Sequence, residues 1–270
     1  VTDVLADYEQ ATFTHEGKVR DVYRKGTGPA VVVIAEMPGI TPKVVAFADR
    51  VAAIGCSVVL PHLFGEPGRE LDPAHKLAGI GYVASSMLPA CVSREFVVFA
   101  TGRTSPVVEW LRALARAEHE RCGGPGVGAV GMCFTGGYAL AMSTEPALLA
   151  PVLSQPSLPM ALRRKDRRGI DISREDLEVV KSRCANEDLE VIGMRFKSDR
   201  FVPSERFRFL EDELGDAFTC VELEDEAANP DAAIKPHSVL TEHFVDQAGT
   251  PTHDALDRVL DLYRRKLLAA

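Results

Sequence analysis

No two of the six cysteines, at 56, 91, 122, 133, 184 and 220, stand at C-x-x-C spacing, and no apolar leader opens the chain. That pattern points to free thiols in a reducing, cytosolic setting. No apolar run approaches the length of a bilayer span, so no membrane partner is expected. A basic surplus is also missing: the net charge of −8 argues against a nucleic-acid binder. The one basic run, residues 163–168, reads as a solvated loop. Without an internal repeat or a linker long enough to divide it, the chain of 270 residues reads as one α/β domain with a substantial core. Its hydrophobic fraction of 46% and charged fraction of 26% are ordinary for a globular protein.

The most informative stretch is 126–140, GVGAVGMCFTGGYAL. A short apolar run, 127–132, is bounded by glycines and followed by a small-residue segment with helical spacing, and Cys133 sits on the turn between them. This is the pattern of a nucleophile elbow, in which a strained residue at the top of a strand projects into a cleft. A buried core thiol would not require the surrounding glycines. Gly126, Gly128 and Gly131 also satisfy G-x-G-x-x-G, but they lie before and inside the strand rather than between strand and helix, which argues against dinucleotide binding. Thr135 stands where the elbow usually has a smaller residue.

Around this turn the chain alternates between strand and helix. A hairpin about Gly17 precedes a buried β-branched run at 30–35, which ends in Glu36-Met37-Pro38-Gly39. Thr41 and Pro42 start a helix, 57–60 is a short strand, and 66–103, interrupted by prolines, reads as an insertion over the cleft. Helices are expected from Ser105-Pro106 to 121, at 173–184 with a serine cap, from Pro203 to 214 and at 254–268. Strands are expected at 147–154, 190–196 and 218–223. The alternation implies a mostly parallel central sheet with helices on both faces.

A cysteine hydrolase needs a nucleophile, a base, a group that orients the base and donors for the oxyanion. Cys133, Asp199 and a histidine, either His237 or His243, follow one another in the order nucleophile, acid, histidine used by α/β-hydrolases. The main-chain N–H groups of Met37 and Phe134 are the oxyanion candidates. Surface or capping roles for Asp199 and the histidines are the alternatives.

Glu36-Met37, Gly-x-Cys at 131–133, Ser198-Asp199-x-x-Val-Pro and His237-Ser238 together resemble the dienelactone hydrolase family over about residues 12–268. The resemblance implies an α/β-hydrolase fold, a Cys133-Asp199-His237 triad and Glu36 as an accessory base that takes the thiol proton when substrate binds. It favours His237 over His243 because the family's histidine is commonly followed by serine. It also implies a small lactone or ester substrate and neither metal nor organic cofactor. A thioesterase with the same triad, or a non-catalytic ligand-binding relative, is the rival expectation. Family members that act on dienelactone hold its carboxylate with arginines, one of them four residues after the histidine. Here that residue is Thr241, so any clamp would have to come from an arginine such as Arg94, Arg103 or Arg206.

Overall fold

The computed structural model describes residues 4–69, 95–96, 102–158, 167–232 and 234–269. Most of the expected insertion at 66–103 lies outside them, as do Arg94, Cys91 and the basic residues at 163–165.

Glu9–His15 (β1) and Lys18–Lys25 (β2) form an antiparallel hairpin. Glu16 and Gly17 both take positive φ (48° and 74°), the geometry that lets a two-residue turn follow the strand twist. The other strands are Ala30–Ile34 (β3), Ser57–Pro61 (β4), Val127–Met132 (β5), Leu148–Ser154 (β6), Val191–Phe196 (β7) and Phe218–Leu223 (β8). They form an eight-stranded sheet in the order β1-β2-β4-β3-β5-β6-β7-β8, with every pair from β4 onward parallel.

Strands β3, β4, β5 and β7 are buried throughout, as expected of a sheet covered on both faces. Alternate residues of β3 serve opposite faces: Val32 and Ile34 join one core, Val31 and Val33 the other. The first core packs helices Val107–Cys122 (α2), Gly136–Met142 (α3), Arg174–Asn186 (α4) and Ser204–Leu214 (α5). The second packs Pro42–Ala53 (α1) and Pro251–Tyr263 (α6).

Caps set the helix starts. Thr41 Oγ1 accepts the Val44 N–H ahead of α1, and Ser173 Oγ accepts the Asp176 N–H at 3.0 Å ahead of α4. The last helix begins earlier than its apolar spacing indicates, because Pro251 is pre-set for the first helical turn. It continues beyond Tyr263 as a wider π turn, Arg264–Leu268. The elbow helix starts at Gly136, because Cys133–Thr135 form a tighter 3₁₀ turn ahead of it. No helix among the described residues is long and apolar enough to cross a membrane.

Candidate active site

Strand order decides which residues meet. β3, β5, β6 and β7 lie side by side and run parallel, so the residues just past their ends share one edge of the sheet. Those residues are Glu36, Cys133, Gln155 with Ser157, and Asp199. His237 arrives from the long segment between β8 and α6.

Cys133 has φ of +55°, a left-handed conformation that a non-glycine residue holds at a cost of about 1–3 kcal/mol. Gly131 is required beside it: a Cβ there would lie 2.1 Å from the Thr135 carbonyl oxygen. Thr135, the apparent departure at the elbow, is fully buried and fastens the turn. Its hydroxyl accepts the Met132 N–H at 2.9 Å, and its proton faces the carbonyls of Met132 (2.8 Å) and Ile34 (3.0 Å). The elbow is thereby tied to the end of β3, next to Glu36. Each such bond contributes about 1 kcal/mol, the same scale as the strain it holds.

His237 Nδ1 lies 2.6 Å from Asp199 Oδ2, and the carboxylate's other oxygen accepts the Phe201 N–H at 2.9 Å. Burial opposes protonation of His237, but the facing Cys133 charge and the hydrogen bonds to Asp199 and Cys133 outweigh it, holding the imidazole well above its usual range. Phe201 packs edge-on over the ring with centroids 5.8 Å apart. His243 sits elsewhere in the same loop, buried. Its Nδ1 accepts the Ser238 N–H at 3.1 Å and its Nε2 faces the Ile234 carbonyl at 3.1 Å, which fixes a neutral tautomer. Burial lowers its basicity further.

Glu36 is buried, and its carboxylate hydrogen bonds run to Gln155 Nε2 (3.0 Å), Ser238 Oγ (2.6 Å) and Thr241 Oγ1 rather than to Cys133. Gln155 takes a positive φ of 36° at the end of β6, and its Oε1 accepts the Val239 N–H at 3.2 Å. Glu36 thus connects β3, β6 and the histidine loop. Met37 and Phe134, the expected oxyanion donors, follow the ends of neighbouring strands and pack with Cys133 in one cluster. Phe134 is walled by Phe64 (5.3 Å) and Phe96 (6.2 Å).

Arg206 is wholly buried, and its guanidinium donates to the carbonyls of Gly169, Pro156 and Phe201. It braces the loops around the site and does not line the cleft. Arg103 is exposed.

Sequence pattern alone assigns no role to Ser157, to Gln155 or to the hydroxyl of Thr241 that donates to Glu36. The only local signal is the change from an apolar strand to Ser154-Gln155-Pro156-Ser157 at its end.

The parallel sheet, the elbow after β5 and the acid and histidine beyond later strands define an α/β-hydrolase. The dienelactone hydrolase family model matches residues 20–161, and the chain belongs to that family. Among solved structures, it resembles a protein assigned as a dienelactone hydrolase from Klebsiella pneumoniae subsp. pneumoniae, at 16% identity and a TM-score of 0.61, over 96% of this chain and 98% of that one. It resembles a dienelactone hydrolase from Anabaena variabilis at 12% identity and a TM-score of 0.56, over 97% and 99%. A dienelactone hydrolase-like promiscuous phosphotriesterase from metagenomic libraries is similar at 16% identity and a TM-score of 0.54, over 96% and 98%. No curated protein matches the chain.

Proposed function

We propose that this hydrolase opens lactones or related carboxylic esters through a cysteinyl acyl intermediate, with Cys133 as nucleophile, His237 as acid and base, Asp199 as its orienting partner and Glu36 as accessory base. The observation that carries the reading is the 2.6 Å contact of His237 with Asp199 at the sheet edge that also holds Cys133.

The thiolate attacks the acyl carbon, and the main-chain N–H groups of Met37 and Phe134 receive the developing oxyanion. As the C–O bond breaks, the alkoxide takes the proton of His237. Acylation removes the sulfur's negative charge, one of the causes that raise His237, so the imidazole becomes free to act as a base. It then takes a proton from water as the oxygen attacks the thioester, and the thiolate leaves, restoring the ion pair. Glu36 is the accessory acceptor for the Cys133 proton only in molecules where the cysteine is still a thiol, outside the ion pair, once substrate disturbs its present donors.

The test is stopped-flow hydrolysis of an activated aryl ester. A burst equal to the enzyme concentration, absent from Cys133→Ala, is expected; a burst surviving in that variant overturns the reading. Parallel assays with small lactones and acyl thioesters separate the lactone hydrolase from the thioesterase, and binding without turnover of any of them would favour the non-catalytic relative.

A further inference from the structure

The site holds a polar group that the triad does not use. Ser157 Oγ lies 3.0 Å from Cys133 Sγ, and the Ser157 N–H donates to the Cys133 carbonyl at 2.9 Å. Backbone and side chain therefore fix the serine to the elbow together. Close packing at Gly136 helps hold it there, since a Cβ on that glycine would lie 2.6 Å from Pro156 Cα. Ser157 is only 4% exposed, and among the described residues the sulfur is its hydroxyl's hydrogen-bond partner.

A proton count assigns the direction of the bond. A thiol has one proton and His237 is its base, so in the ion pair the sulfur has no proton to give. The buried hydroxyl then has to donate to it, because a buried donor without an acceptor is costly. We infer that Ser157 is a further catalytic residue, whose hydroxyl donates to the Cys133 sulfur and favours the thiolate, both when it attacks and when it is expelled from the acyl enzyme. This rests on the reading that Cys133 is the nucleophile.

The same bond makes each thiolate less reactive. Thiolate nucleophilicity falls with basicity with a coefficient of about 0.4–0.5, so about tenfold more thiolate comes with each one about threefold slower. Removing the hydroxyl therefore has opposite effects at the two ends of the pH scale, which mere loosening of the loop does not produce.

The experiment follows Cys133 alkylation by iodoacetamide against pH, with mass mapping, in the wild type, Ser157→Ala and Ser157→Thr. In Ser157→Ala the half-maximal point should move up by about one pH unit. The rate should be about threefold lower than wild type on the acidic limb and about threefold higher on the alkaline plateau, so that the profiles cross. Ser157→Thr, which keeps the hydroxyl, should follow the wild type. Coincident profiles, a uniform fall at every pH, or a threonine variant that behaves like alanine would each overturn the inference. Alkylation needs no ester substrate, so failure here is distinct from survival of the burst in Cys133→Ala, which removes the nucleophile itself.

Discussion

The hydroxyl of Thr241 donates to Oε1 of Glu36. At the position where carboxylate-selecting relatives carry an arginine, this chain therefore has a buried neutral side chain already engaged with a protein carboxylate. Arg206 is likewise engaged, by backbone carbonyls. A charge-assisted bond contributes about 1.5–3 kcal/mol against about 1 for a neutral one, so losing the clamp should weaken selection of an anionic substrate by tenfold or more. kcat/KM for carboxylate-bearing dienelactone is expected to fall below that for an uncharged lactone of similar size. A marked preference for the anionic substrate would count against this.

Glu36→Gln should lower turnover more than tenfold while the protein stays folded. With the new amide nitrogen on the Thr241 side, the Thr241 hydroxyl can turn to accept from it while Ser238 and Gln155 keep donating to the remaining oxygen, which limits the structural cost. Turnover and thermal melting together provide the check: unchanged turnover removes Glu36 from the chemistry.

Limited iodoacetamide treatment should inactivate the enzyme through Cys133 alone. Burial pushes the Cys56 thiol up to about 11 and Cys220 to about 12, and raises Cys184 as well, leaving these poorly supplied with thiolate at neutral pH. Peptide mapping that tied inactivation to one of them would contradict the assignment.

The two loop histidines should separate by phenotype. His237→Ala is expected to lose a hundredfold or more in kcat, and it also lowers the melting temperature to the extent that the buried Asp199 carboxylate loses its partner. His243→Ala leaves the Ser238 N–H without its acceptor and should cost about 1–3 kcal/mol of stability, with the smaller effect on kcat. Reversed phenotypes in paired assays of activity and melting would exchange their roles.

Asp171 provides a pH test outside the proposed triad. Ser105 Oγ lies 2.5 Å from both the Phe96 carbonyl and Asp171 Oδ2; its single proton serves one contact, and a protonated Asp171 carboxyl donating to Ser105 Oγ serves the other. Burial raises Asp171 to about 7, against the lowering that the Ser105 hydroxyl and N–H exert when they donate to the ionised carboxylate. The folded value lies above the unfolded one, so its stabilisation is fully present below about 4 and is lost as pH rises through about 7. Asp171→Asn mimics the protonated acid. Its melting temperature should exceed that of the wild type most above pH 7 and least near pH 4, and a pH-independent difference would reject the proton assignment.

Much of the architecture was written in local patterns. The β-branched run at 30–34, the glycine-bounded strand before Cys133, the serine and threonine caps and the strand-helix alternation each act over a few residues, so periodicity and turn chemistry suffice to read them. The elbow and its cysteine were legible for the same reason, because the turn needs small residues at fixed offsets. The rest depended on strand order, which no local pattern encodes. Placing β3 beside β5, and β5 beside β6, is what sets Gln155 against Glu36 and Ser157 against Cys133, pairs separated by 119 and 24 residues. Tertiary packing likewise decided that Thr135 fastens the elbow, that Arg206 turns into the protein, and that of two histidines six residues apart one faces a carboxylate while the other spends its ring on backbone. A side chain's chemistry is fixed by its residue type, but its task is set by the partner that desolvation forces upon it, and that partner comes from another strand.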